Sequence, residues 1–341
     1  MRILVYSRAF LPHVGGLELN VAHLCRGLAE RGQEVVVVTT TPGAQPGSTS
    51  FRVVRRPGAL QLLRLVIWCD LYHQANVSLR GLWPLLLVSR PWVVSHHSWY
   101  CRPGGRIAWQ DRLKRYLLRY AVGSIAVSRA IADDLGIPCD VIENSYDDQV
   151  FRCLPDVERW RDLVFVGRLV SDKGLDVLLD ALGLLASQGT RPDLTIVGDG
   201  PERTRLEAQA HRAGLDRQVR FLGSVTGEAL ARVLNRHRIL VVPSRYNEPF
   251  GIVALEGIAC GCVVVGSEGG GLPEAIGPCG RTFPNGNAAA LAQALAALLA
   301  DPGRLAPYLQ SANAHLAKHS GPRQVEAYLA VFRRAAGDPA P

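Results

Sequence analysis

The stretch Glu248-Pro-Phe-Gly-Ile-Val-Ala-Leu-Glu256 sets two carboxylates around the expected first turns of a helix, just after an apolar strand ending at Val242. A carboxylate so placed can accept two hydrogen bonds from a ribose diol. Gly251 lets a ligand approach the backbone, and a helix N-terminus offers unpaired N–H groups and a favourable dipole to a diphosphate. Ile252, Leu255, Ile258 and Ala259 are predicted to face the core, which turns Glu256 away from it. Two arbitrary glutamates would be ordinary solvated helix acids. The acid followed by Pro-Phe-Gly at a strand-to-helix junction sets this pair apart.

A second constellation is Gly167-Arg168-Leu-Val-Ser-Asp-Lys173-Gly174, directly after the apolar run Leu163 to Val166. Open α/β sheets bind ligands at their strand ends, and Arg168 and Lys173 supply a forked donor and a point charge for phosphate oxygens. Gly198-Asp199-Gly200 follows another strand and begins like a dinucleotide fingerprint, but Arg203 stands where the third glycine belongs, so a tight turn is the simpler account. Gly15-Gly16 follows the opening strand and could bring backbone N–H groups to a diphosphate. His96 and His97 follow the strand Trp92 to Val94, and one of them is predicted to lie at the sheet's ligand-binding edge.

The elements that must position these residues follow a β/α alternation. Ile3 to Tyr6 reads as a strand, Leu19, Ala22, Leu24 and Leu28 as a helix ended by Gly32, and Val35 to Val38 as a buried parallel strand. Strands at Trp92 to Val94, Ser124 to Val127 and Val141 to Ile142 complete a first domain. A second series begins after Pro155, with strands at Leu163 to Val166, Leu194 to Val197, Val219 to Leu222, Ile239 to Val242 and Val263 to Val265. Residues 175 to 186 and 201 to 214 read as its clearest helices. Val325, Tyr328, Leu329 and Phe332 line one face of a terminal helix from Gln324 to Ala335.

At 341 residues the chain suits two domains of roughly 150 to 180 residues each. The N-terminus lacks a signal-peptide core, and charged residues and prolines interrupt the apolar region from Ala59 to Ser95 before it reaches spanning length. A cytoplasmic protein is expected, with its eight cysteines as reduced core thiols. The net charge of +8 favours anionic partners in general. It is densest where Arg102, Arg106, Arg112, Lys114, Arg115 and Arg119 alternate with Trp109, Tyr116, Leu117 and Tyr120. Such a segment could rest on anionic lipid at the inner face of a membrane, although charge runs are usually solvated. No nucleic-acid motif is present, so no nucleic-acid partner is expected.

Taken together, the motifs GRLVSDKGLDVLLDAL, LTIVGDGPER, VRFLGSV, VVPSRYNEPFGIVALEGIACGCVVV and GGGLPEAIG resemble, in order and spacing, those of the retaining glycosyltransferases of family 4. The resemblance runs over nearly the whole chain and is strongest in its second half. It implies the GT-B fold of two Rossmann-like doubly wound α/β domains facing across a cleft: residues 1–155 on the acceptor side, 156–322 binding the nucleotide sugar, and 323–341 as a helix crossing back. By that resemblance Glu248 contacts the donor sugar, Glu256 holds the ribose, and Arg168 and Lys173 after Gly167 bind the diphosphate. Peptide groups around Phe250, Gly251 and Ile252 would meet sugar and phosphates, and Gly16 matches the glycine loop of the first domain. The family's first-domain histidine aligns with His97, with His96 as the fallback. Asn144 and Asp147 lie in VIENSYDDQVF, which is similar to the family's interdomain segment, with Ser145 in place of its glycine.

The implied reaction is front-face transfer of a glycosyl group from a nucleoside diphosphate sugar, UDP or GDP being the expected carrier, with no further cofactor. No strand-end DxD motif appears, so no catalytic metal is expected. The segment from Pro42 to Pro91 matches poorly, which leaves the acceptor open among a glycan, a glycolipid and a small molecule. A lipid-linked or cell-surface glycan precursor is favoured, with a small soluble acceptor or a GT-B nucleotide-sugar epimerase as the alternatives.

Overall fold

The structure is a computed structural model that describes residues 1–13, 15–43, 50–101 and 107–337. The chain divides into two compact units, one formed by Met1–Ser145 with Gly321–Pro341 and the other by Tyr146–Ser320. The division thus falls ahead of Pro155, and the segment holding Asp147 groups with the second unit. Arg102 and Arg106 of the basic segment lie outside the described residues.

The first unit is built on strands β1 (Arg2–Ser7), β2 (Glu34–Thr39), β3 (Arg52–Arg55), β4 (Leu71–Ala75), β5 (Trp92–His96), β6 (Gly123–Ala126) and β7 (Asp140–Val141). They form one parallel sheet in the order β3-β2-β1-β4-β5-β6-β7. The runs Ile3–Val5 and Val35–Val38 are buried, as strands covered on both faces require. Strands β3 and β4 have no counterpart in the periodicity reading. In β4 every residue of Leu-Tyr-His-Gln-Ala is buried, and two of the five are polar, so the strand matches neither an alternating nor a continuously apolar pattern.

The terminal helix, Gly321–Ala336, belongs to this unit, where Val325, Tyr328, Leu329 and Phe332 join the core formed by Val21, Leu24 and Leu28 of helix Gly16–Glu30. The two helices approach closely at Gly27, where an added Cβ would stand 2.5 Å from Val325 Cγ2. Ser145 Oγ donates to Gln324 Oε1 at 2.8 Å, and Asn20 Nδ2 reaches the same atom at 3.4 Å.

The second unit has strands β8 (Arg161–Val166), β9 (Leu194–Val197), β10 (Val219–Gly223), β11 (His237–Val242), β12 (Val263–Ser267) and β13 (Gly280–Phe283), all parallel in the order β10-β9-β8-β11-β12-β13. Counted within the unit this is the 3-2-1-4-5-6 order of a Rossmann sheet, whose direction of winding reverses between β8 and β11. The helices expected at 175–186 and 201–214 are Leu175–Ser187 and Arg203–Arg212.

Among the described residues no helix is long and apolar enough to cross a membrane. Cys25, Cys69, Cys260, Cys262 and Cys279 are buried, but Cys101 and Cys153 are exposed and Cys139 is half-buried. The expectation of eight core thiols therefore holds for five of the eight.

Candidate active site

The two constellations meet at the point where the second sheet reverses its winding, because one leaves β8 and the other leaves the neighbouring β11. The loops touch at backbone level. Gly174 has φ +65°, and a Cβ there would fall 1.9 Å from the carbonyl oxygen of Pro243, so only glycine allows this approach. Arg245 N–H donates to the Asp172 carbonyl at 2.9 Å, and its guanidinium pairs with Asp176 at 2.7 Å.

Glu248 sits at the centre of this contact and is buried. Its Oε1 accepts from Lys173 Nζ at 2.7 Å and from Ser244 Oγ at 2.6 Å, and its Oε2 accepts from Tyr246 Oη at 2.7 Å. Burial alone would raise this carboxyl, but the Lys173 charge and the three donors outweigh it and hold the group below the usual glutamate range. Of the roughly four lone-pair sites of a carboxylate, one remains for a ligand. The Glu248 backbone is fixed too, its carbonyl accepting from Gly271 N–H at 2.7 Å beside an isolated parallel bridge to Gly270.

Arg168 projects as an exposed side chain with no hydrogen bond or ion pair among the described residues. It remains available to an anion. Gly167 precedes it, packed so that a Cβ would lie 3.3 Å from Phe165 Cζ.

Helix Ile252–Ala259 begins at Gly251, whose φ of +111° a side chain rarely adopts. Phe250 turns its ring inward, 5.8 Å from the ring of His319, which leaves its peptide group as the part that could meet a ligand. Leu255, Ile258 and Ala259 are buried as the spacing predicts, but Ile252 is only half-buried. The first residue of a helix projects beyond the layer that covers the later turns.

Glu256 is half-buried and forms no hydrogen bond among the described residues. Loss of solvent raises its carboxyl to about 7, and the nearby Asp147 charge adds to the shift.

In the first unit Gly16 is the first residue of helix Gly16–Glu30, with Gly15 as its N-cap. The carboxylate of Glu18, which receives the His13 ring at 3.1 Å, stands 2.5 Å from where a Gly15 Cβ would be. The positive end of that helix therefore already faces an acid. Asn144 is buried with its Oδ1 unpartnered among the described residues.

The two adjacent histidines differ in setting. His96, the last residue of β5, is fully buried and spends its Nδ1 on Tyr100 Oη at 2.8 Å. His97 lies just past the strand and is half-buried; its backbone N–H donates to Asn76 Oδ1 at 2.8 Å, and its Nε2 lies 2.8 Å from Ser95 Oγ. Burial pulls His96 down to about 3 and His97 to about 4, so both rings are neutral near pH 7.

Within the basic segment, helix Trp109–Leu117 buries none of its residues, and Trp109, Tyr116 and Tyr120 are 69%, 49% and 63% exposed. Arg119 stacks 3.6 Å over the Tyr116 ring. Two of its cations are already paired, Lys114 with Asp111 at 3.2 Å and Arg115 with Asp134 at 2.6 Å.

The sequence reading pointed to Glu248 and Lys173, which the structure brings together, but not to Ser244 and Tyr246, which also donate to Glu248. Ser244 and Tyr246 lie within four residues of Glu248 and could have been read as its donors.

The family model described as Glycosyltransferase Family 4 matches residues 14–149, and the one described as Glycosyl transferases group 1 matches residues 154–315. The chain is 30% identical to the glycogen synthase of Mycobacterium tuberculosis, over 89% of its own length and 87% of that protein's. It is 41% identical to an uncharacterised glycosyltransferase of Methanocaldococcus jannaschii, over 81% and 83% of the two chains. Its fold matches that of Anabaena HepE in complex with UDP and glucose with a TM-score of 0.78 at 22% identity, covering 96% of this chain and 99% of that one.

Two parallel Rossmann-like sheets and these relatives define a glycosyltransferase of the GT-B fold. The chain belongs to glycosyltransferase family 4.

Proposed function

We propose that the protein transfers a hexosyl group, with retention, from a nucleoside diphosphate sugar to a lipid-linked or cell-surface glycan precursor. The observation that carries this reading is the pairing of Lys173 with Glu248 at the reversal point of the second sheet, beside Arg168, which has no partner among the described residues. Arg168, Lys173 and the N-terminus of helix Ile252–Ala259 would neutralise the departing diphosphate, with Gly167, Gly251 and Ile252 lending backbone. Glu248 would hold the donor sugar and Glu256 the ribose. Gly16 and His97 would serve from the first unit. No protein nucleophile and no metal enter this scheme.

UDP is favoured as the carrier because the structural relative HepE was solved with UDP and glucose, and GDP is the alternative. The exposed aromatic and cationic helix Trp109–Leu117 supports peripheral contact with an anionic membrane on the cytoplasmic side. The internal pairing of Lys114 and Arg115 favours the second reading, a small soluble acceptor.

The test is to incubate the protein with UDP- and GDP-sugars and a panel of soluble and vesicle-borne acceptors, following the anomeric proton of the product by NMR. Transfer with the donor's own anomeric configuration supports the reading. An inverted product removes the retaining mechanism, and epimerised donor without transfer moves the protein to the epimerase class. Trp109→Ala should release the protein from anionic vesicles in co-sedimentation. Unchanged sedimentation, or none in the parent protein, removes the membrane contact.

A further inference from the structure

Helix Ala59–Trp68 is apolar except at Gln61 and Arg64. Leu62 and Val66 are buried, whereas Leu60 and Ile67, on the opposite side of the helix, are exposed. A helix that is apolar all round is one that is covered all round. It packs against the turn Trp83–Leu86, where Leu86 is 85% exposed and the following Leu87 68% exposed. Tyr120 and Val122, between helix Trp109–Leu117 and β6, are exposed as well. Contiguous exposed apolar side chains mark an interaction surface.

These side chains share one edge of the first sheet. Ile67 precedes β4, Leu86 and Leu87 precede β5, and Tyr120 and Val122 precede β6, so all stand by the N-terminal ends of three neighbouring parallel strands. Hydrogen bonds lace the three approaches together. Arg90 Nη2 donates to the Ile67 carbonyl at 2.6 Å, and the N–H groups of Tyr72 and Val122 donate to the carbonyls of Pro91 and Trp92, each at 2.9 Å. Neighbouring strands lie ~4.8 Å apart, which makes one narrow strip of the three approaches.

The strip also belongs to one face. The connections from β3 to β4, β4 to β5 and β5 to β6 all run the same way across the sheet, and right-handed crossovers place all three on one side. Helix Gly16–Glu30, whose connection runs the other way, packs with the terminal helix on the opposite side.

Charge selects the occupant. Residues 59–69, 79–91 and 112–123 contain six arginines, one lysine and no Asp or Glu. Among the described residues, only Lys114 and Arg115 of these form ion pairs with acids from elsewhere. A second copy of this chain would oppose the strip with the same cations, and a nucleic acid offers nothing to Leu86 and Leu87. An anionic bilayer takes apolar side chains into its interface and attracts cations to its surface.

We infer that the N-terminal edge of β4, β5 and β6 docks on an anionic lipid bilayer, with Ile67, Leu86, Leu87, Tyr120 and Val122 entering the boundary between headgroups and acyl chains. The inference rests on the peripheral membrane contact read above and extends it from one helix to the sheet edge beside it.

The test is co-sedimentation of the full chain with phosphatidylcholine vesicles prepared with and without phosphatidylglycerol. Binding that needs phosphatidylglycerol and weakens with salt is expected. The double variant Leu86→Ser, Leu87→Ser should bind roughly 100-fold more weakly, about 10-fold for each leucine, with an unchanged Tm because both side chains are exposed. Leu309→Ser, at an exposed leucine of the second unit, should bind as the parent does.

Parental binding by the double variant overturns the sheet edge, and the contact through helix Trp109–Leu117 still stands if Trp109→Ala releases the protein. Absence of binding by the parent chain overturns both contacts but leaves transfer to soluble acceptors, a separate assay, untouched. Equal binding with and without phosphatidylglycerol overturns the preference for an anionic surface. A parent chain that dimerises in sedimentation velocity, and is made monomeric by the two serines, assigns the strip to a second copy and overturns the lipid.

Discussion

Lys173 Nζ lies 2.7 Å from Glu248 Oε1 across two loops that follow neighbouring strands, and the two residues are 75 positions apart in the chain. The pair is unequal, because the Glu248 side chain is 8% exposed and that of Lys173 25%. Removing the lysine leaves a buried carboxylate with only neutral donors, whereas removing the carboxylate leaves a cation that water can reach. Lys173→Met should therefore cost about 3 kcal/mol of unfolding free energy and Glu248→Gln only about 1 kcal/mol. Denaturant unfolding of the two variants checks this, and a larger loss in Glu248→Gln would reverse the argument.

Glu256 predicts a pH dependence. Loss of solvent raises its carboxyl to about 7, against roughly 4.3 for a solvated glutamate. Across that interval the folded chain holds a proton that the unfolded chain has released. The stability this contributes is fully present below the solvated value and is lost as pH rises through about 7. Glu256→Gln should flatten the fall in Tm seen by scanning calorimetry over this window. If Glu256 binds the ribose as a carboxylate, donor binding must also release a proton. UDP-glucose, whose phosphates do not titrate near neutrality, should bind more tightly as pH rises through 7 to the wild type and not to Glu256→Gln.

Gly251 has φ +111°, and a Cβ there would stand 2.6 Å from Leu272 Cδ1. Gly251→Ala therefore meets both backbone strain and a packed leucine. A loss of about 1–3 kcal/mol in unfolding free energy is expected, with weaker nucleotide binding from the displaced N-terminus of helix Ile252–Ala259. Wild-type stability and affinity would show that the loop tolerates a side chain.

Phe332 is fully buried in the first unit. Phe332→Ala should cost about 3–5 kcal/mol. Deleting the chain from Gln324 onward exposes the same core, so the first unit should lose its cooperative transition in calorimetry. Retention of that transition would show that the terminal helix is dispensable to the unit.

Much of this protein is legible in its sequence because the signals are local. Strand-length apolar runs separated by helical spacing define the two α/β series, and the alternation restarts where the second sheet begins. Arg168, Lys173 and Glu248 stand out in the sequence because each follows a recognisable strand end within a few residues, and Glu256 because it lies in the helix that the same loop opens. The terminal helix shows its buried face in the spacing of Val325, Tyr328, Leu329 and Phe332.

Tertiary structure alone decided the rest, because hydrogen-bond partners come from strands that adjoin in space and not in sequence. Strand β4 carries His73 and Gln74 into the core, where Ser95 Oγ partners His73 Nε2 and the Tyr72 hydroxyl accepts from Gln74 Nε2, so polar residues occupy positions that a sequence pattern reserves for apolar ones. The ionisation of Glu248 depends on a lysine delivered by another loop, and that of Glu256 on solvent lost as the unit packs. The amino-acid sequence thus determined which groups stand at the strand ends, and the packing of the sheets determined their partners and their protonation, since both depend on neighbours and burial that exist only once the chain has folded.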